Sequence, residues 1–119
     1  FLNVCWLCTN AQYAFVKQWD KRYGGSKSEI LGNFKQLPLE GFLLGASVYS
    51  DLGGDVTSSN YDTLLNTADY WLLKLDSLGN KIEDRRYGGF SSDLLTEVII
   101  VKDGGLLLGG YTSSSIGGD

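Results

Sequence analysis

Apolar residues along this chain cluster in short runs separated by Gly, Asn, Asp and Ser. The runs predict strands over 4–7, 14–19, 30–37, 42–49, 70–75, 81–87, 94–102 and 106–112. Val98-Ile99-Ile100-Val101 is β-branched and carries the strongest strand signal. Residues 81–87 alternate weakly, as a half-exposed strand does. Leu106-Leu107-Leu108 is apolar at consecutive positions, so both faces of that strand need cover. Tight turns fit Asp76-Ser77-Leu78-Gly79-Asn80 and Asp103-Gly104-Gly105, where Gly and Asn take left-handed backbone at low cost. Pro38 donates no ladder hydrogen bond and belongs at a strand end. The connection over 50–68 is long and polar, with a short helical turn expected near 62–66.

The pattern occurs twice. Asp20-Lys21-Arg22-Tyr23-Gly24-Gly25 returns as Asp84-Arg85-Arg86-Tyr87-Gly88-Gly89, and Gly53-Gly54-Asp55 returns as Gly117-Gly118-Asp119. Both pairs are 64 residues apart, and 20–55 matches 84–119 at 15 of 36 positions. Such a period is the signature of a repeat architecture, in which one supersecondary unit buries its faces only against its neighbours. Before residue 20 the match is weaker. Val4-Cys5-Trp6-Leu7 is aligned with Asp69-Tyr70-Trp71-Leu72, with one residue inserted after it. The expected organisation is therefore a first unit at 1–55, a connecting loop at 56–68 and a second unit at 69–119. Each unit is expected to be a four-stranded antiparallel sheet.

The motif run Asp69-Tyr70-Trp71-Leu72-Leu73-Lys74-Leu75-Asp76-Ser77-Leu78-Gly79-Asn80, then Tyr87-Gly88-Gly89, then Lys102-Asp103-Gly104-Gly105-Leu106-Leu107-Leu108-Gly109-Gly110-Tyr111 resembles repeats of large secreted or surface proteins of Bacteroidota. Those proteins often carry a C-terminal sorting domain for type IX secretion. The resemblance implies adjacent blades of a β-propeller-like assembly, a non-catalytic extracellular or cell-surface module, and a chain that is a fragment of a longer array. Two departures are Cys5-Trp6-Leu7-Cys8 at the strand start and Leu37-Pro38-Leu39-Glu40-Gly41 in place of Asp-Gly-Gly.

Charge narrows the partners. The net charge is −4, so a phosphate backbone is repelled and nucleic acid is not expected. No apolar run approaches the roughly 20 residues of a spanning helix, so no membrane span is expected. The expected partners are neighbouring repeats of the same chain, with a protein or glycan ligand beside them.

Candidate chemistry is thin. The loops holding Asp51, Asp55 and Asp119 supply carboxylates and carbonyls that suit calcium, but calcium takes about 6–8 oxygens. An Asp after glycine also serves as a turn residue. Trp71, Tyr87 and Tyr23 supply the aromatic faces of a sugar platform, or equally the packing between blades. Glu83 and Asp84 point to opposite faces of one strand, which does not make a glycosidase pair. With no His, the usual base for acyl transfer is missing. Cys5 and Cys8 have half-site spacing, yet no further Cys or His completes a zinc site of about four ligands. No cofactor, resident metal or catalytic residue is expected. The expected role is a non-catalytic scaffold or interaction module; the alternatives are a carbohydrate- or calcium-binding segment, or part of a propeller enzyme with its active site in other blades.

Overall fold

The structure, a computed structural model, describes residues 1–9, 15–38, 41–60 and 66–115, with the side chains of Cys8 and Thr9 left out. It is all-β and antiparallel. The strands are β1 (Leu2–Thr9), β2 (Phe15–Tyr23), β3 (Glu29–Leu37), β4 (Gly41–Val48), β5 (Asp69–Leu75), β6 (Lys81–Tyr87), β7 (Asp93–Ile100) and β8 (Leu106–Thr112). The helical turn expected at 62–66 falls mostly outside the described residues.

Strand pairing does not follow the expected units. β1 and β2 form one hairpin, β3-β4-β5-β6 form one four-stranded sheet, and β7 and β8 form a second hairpin. The four-stranded sheet thus joins the second half of 1–55 to the first half of 69–119. The reason lies in the connections. A short link between strands reads as a hairpin, and 24–28 is short. The chain nevertheless leaves one sheet for the next at that point, while the long link over 49–68 joins the paired strands β4 and β5.

Three side-chain and backbone bonds turn the chain at 24–28. Gly25 N donates to Glu29 Oε1 (3.2 Å), Lys27 N donates to Ser50 Oγ (2.7 Å), and the Ser50 hydroxyl donates to Glu29 Oε1. Glu29 and Ser50 are buried, so this carboxylate and hydroxyl act as a fixed peg. At the same offset of 64, Gly89 N donates to Asp93 Oδ2 (2.9 Å), Ser91 N donates to Ser114 Oγ (3.0 Å), and Ser114 Oγ donates to Asp93 Oδ2 (3.0 Å).

The ladders also agree in detail. The β3–β4 register shifts between Leu31 and Asn33, and the β7–β8 register shifts between Leu95 and Glu97. In β1–β2 the shift follows Trp6, opposite Trp19; in β5–β6 it follows Lys74, opposite Glu83. Trp6 therefore occupies the place of Lys74, and the place of Trp71, opposite Arg86, is taken by Asn3, opposite Arg22. The alignment of Trp6 with Trp71 is off by three residues: tryptophan identity suggested it, and hydrogen-bond register overrules it.

Both faces of the central sheet are covered. On one face Leu44, Ala46, Val48, Trp71, Leu73 and Leu75 pack with Leu2 and Tyr23 of the first hairpin. On the other, Leu43 and Leu72 pack with Leu95 and Val98 of the last. β4 is apolar on both faces because it lies between two layers. The close approach of β7 needs glycine: a Cβ on Gly45 would lie 2.3 Å from Val98 Cγ2, and one on Gly32 2.4 Å from the Leu95 carbonyl.

Candidate functional site

Two places draw several polar side chains together: a buried carboxylate at Asp84, and the face where one layer meets the next. β6 alternates so that Asp84 and Arg86 point into the layer holding Trp71, while Glu83, Arg85 and Tyr87 point to the other side.

Asp84 is a hub. Its carboxylate accepts from Thr57 N (3.0 Å), Ser58 N (3.2 Å), Ser58 Oγ (2.9 Å), Trp71 Nε1 (2.8 Å) and the Thr57 hydroxyl, and pairs with Lys81 Nζ at 2.7 Å. Burial pushes this carboxyl up, but the bonds from Lys81, Thr57 and Trp71 outweigh burial and hold it well below the usual carboxylate range. It stays ionised and tethers the 57–58 segment to the sheet. Beside it, Arg86 Nε bonds Asp69 Oδ2 at 2.7 Å, and its other nitrogens donate to the carbonyls of Ser50 (2.7 Å) and Val48 (3.2 Å). That buried pair closes off the end of β4. Both groups are engaged in structural bonds, through Asp84 to the 57–58 segment and through Asp69 Oδ2 to Arg86.

The layer contact is a clasp. From β2, Trp19 Nε1 donates to the Ser77 carbonyl (3.1 Å), Lys21 Nζ to Asn80 Oδ1 (2.5 Å), and the Tyr23 hydroxyl to the Gly79 carbonyl (2.6 Å). The receiving turn is held by Asp76, whose carboxylate accepts from Leu78 N (2.9 Å) and Asn80 N (2.8 Å). Burial pushes the Tyr23 hydroxyl up to about 12, with Asp55 and Asp76 adding to it, so Tyr23 is a permanent donor.

At the offset of 64, Trp19, Lys21 and Tyr23 become Glu83, Arg85 and Tyr87. These three line an open cavity of about 330 Å³ with Leu72, Lys74 and Leu106. Tyr87 is exposed, where Tyr23 is buried.

The residues singled out from sequence end in different places. Trp71 and Tyr23 are buried in the same cluster and present no ring face to a sugar. Tyr87 is on the opposite side, so no three-ring platform forms. Asp51 pairs with Lys27 Nζ at 2.9 Å. Asp55 accepts from Gly24 N at 3.0 Å, while its own N–H donates to the Gly24 carbonyl at 2.9 Å. Both are turn ties rather than convergent ligands, and Asp119 lies outside the described residues. Among the described residues no three His, Cys, Asp or Glu side chains converge on a point. Cys5 is a free thiol at the surface. Asp84, Arg86 and the Ser50 and Ser114 pegs were not anticipated. The signal was present, since Asp84, Arg86 and Ser114 all repeat residues of the earlier copy.

Comparison with family models, curated proteins and solved structures returned no match. No helix among the described residues is long and apolar enough to cross a membrane.

Proposed function

We propose that this chain is a non-catalytic repeat module of β-propeller type, acting outside the cell as a scaffold or as a protein- and ligand-interaction surface. One observation carries the architectural part. The central sheet takes two strands from each sequence copy, so the second copy completes a layer begun by the first. A neighbouring repeat is then the first partner of every repeat. The shared bulge positions and the two Ser–carboxylate pegs support the same reading. So does the direct bond from Asn33 Nδ2 to Glu97 Oε1 (2.5 Å), which joins residues at equivalent positions of adjacent layers. Contact between β3 and β7 at equivalent residues supports a blade-like stacking of layers. The non-catalytic reading is supported by the engagement of Asp84, Asp69 and Asp93 in structural bonds. The extracellular setting is supported by the sequence resemblance alone.

A tandem fusion of two copies, joined by a flexible linker of about 12 residues, tests this. At high dilution, amide exchange along β8 of the first copy is expected to slow relative to the single chain, because β1 of the second copy pairs with it. Unchanged exchange along β8 in the tandem protein would end the reading.

A second reading is ligand binding in the cavity beside Tyr87, whose exposed ring and flanking Arg85 and Glu83 suit a sugar. It predicts hits on a glycan array that Tyr87→Ala abolishes.

A further inference from the structure

Among the described residues, β8 and β1 are edge strands, each with one open edge. The central sheet shows what their places require. β4 lies 64 residues before β8, and β5 lies 68 residues after β1 when the two hairpins are matched by register. β4 and β5 are paired along their whole length, from Phe42 opposite Leu75 to Val48 opposite Asp69. Among the described residues, β8 pairs with β7 alone and β1 with β2 alone.

Both open strands are apolar. Leu106, Leu107 and Tyr111 are exposed on β8, and Trp6 and Leu7 on β1. Unpaired edges with apolar side chains recruit further strands. Natural edge strands are guarded by charge, and neither of these is: Leu106 to Thr112 and Leu2 to Thr9 contain no charged residue.

We propose that the open edge of β8 is a docking edge for strand β1 of a second copy of this chain. This rests on the repeat-module reading above and extends it to contacts between molecules. Carrying the β4–β5 register over sets Leu106 opposite Leu7, Leu108 opposite Cys5, Gly109 opposite Val4 and Tyr111 opposite Leu2. β7-β8-β1-β2 then forms a four-stranded sheet like the central one. Leu106 lines the cavity beside Tyr87, so a hairpin added along β8 roofs that cavity. The contact is head-to-tail. Every copy offers one β8 and one β1, so the assembly grows into a ring or an open chain and does not stop at a two-fold dimer.

The experiment uses the natural Cys5, with Cys8 replaced by Ser. Directly opposed cross-strand Cα atoms lie about 4.5–5.5 Å apart, within disulfide reach. Leu108→Cys is expected to give, on mild oxidation, a covalent ladder of dimer, trimer and higher species, with the introduced thiol joined to Cys5 in the peptide map. Leu106→Cys, two residues out of register, is expected to give at least tenfold less. Equal ladders from both variants mean unspecific aggregation and overturn the proposal, as does a product that ends at dimer through two introduced thiols. Because Leu108→Cys risks disturbing the fold, the unaltered chain supplies a second readout. Its sedimentation coefficient must rise with concentration, and β8 amide exchange must slow by about tenfold over the same range. A monomer with unchanged β8 exchange sinks the proposal. If the tandem fusion still protects β8, the repeat-module reading stands and only association between copies is lost.

Discussion

Strands β4 and β8 begin with closely similar residues in different surroundings. Gly41-Phe42-Leu43-Leu44-Gly45 becomes Gly105-Leu106-Leu107-Leu108-Gly109. Leu43 and Leu44 are 5% and 0% exposed, whereas their counterparts Leu107 and Leu108 are 57% exposed and half-buried. Local structure is the same: each strand pairs with the one before it, across a register shift at the same place. Backbone geometry is thus set within a hairpin, by turn residues and bulge. Burial is set by the next layer. Leu43 is covered because β7 lies on it, and no described element lies on Leu107. Similar sequence does not mean similar energetics, and the strand whose pattern demands two covered faces is satisfied in only one of its two settings.

The same contrast separates Asp84 from Asp20, the pair expected to differ most. Asp84 is tied by Thr57, Ser58, Trp71 and Lys81; Asp20 is exposed, with Lys17 Nζ at 3.5 Å. Asp84→Ala strips a buried acceptor from several donors and a lysine, and is expected to cost about 3–5 kcal/mol. Asp20→Ala is expected to stay within about 0.5 kcal/mol. Urea unfolding of both variants measures the gap. The folded-state carboxyl of Asp84 is depressed below its ordinary 3.8. Its contribution is therefore complete above that value and is lost as pH falls through the lower folded value. Stability of the unaltered chain should drop on going below about pH 4, and Asp84→Asn should flatten that acid limb. An equally steep limb in the Asn variant would assign the acid loss elsewhere.

Much of this arrangement was legible in the sequence. All eight strands fall within a few residues of the runs of apolar residues, because most links between them carry their own Gly, Asn or Asp and 38–40 carries Pro38. What stayed hidden was which strands pair. Link length suggested that 24–28 closes a hairpin, but Glu29 and Ser50 peg the chain out of the sheet there. Sequence shows that these two residues are polar and not that they are buried together. Trp71 and Tyr23 likewise look like binding aromatics until the layer that covers them is in place.

A milder pair tests cover directly. Leu43→Ala removes a side chain held among Leu72, Leu95 and Val98, and is expected to cost about 2–4 kcal/mol. Leu107→Ala at high dilution is expected to cost under about 1 kcal/mol, since water already reaches its side chain. In the tandem fusion, Leu107 of the first copy should move towards the Leu43 value. If it stays near zero there, the added hairpin is not followed by a layer that covers β8.

The smallest effect asks whether the two pegs are the same device. Ser50 is fully buried and holds Glu29; Ser114 is partly buried and holds Asp93. Each hydroxyl accepts a backbone N–H and donates to a carboxylate, so removing it leaves one donor and one acceptor short. Ser50→Ala is expected to cost about 1–3 kcal/mol, because the Lys27 N–H loses its acceptor in a part-buried place and Glu29 is left with Gly25 N and the Phe1 ammonium. Ser114→Ala is expected to cost about 0.5–1.5 kcal/mol, because water can take the vacated place beside Asp93. Amide exchange separates a peg from a general packing loss. In Ser50→Ala the Lys27 amide should lose protection before the β3 amides do, and in Ser114→Ala the Ser91 amide should behave likewise. Uniform loss along β3 or β7 instead would mean that the hydroxyl supports the sheet as a whole and does not steer the chain from one layer into the next.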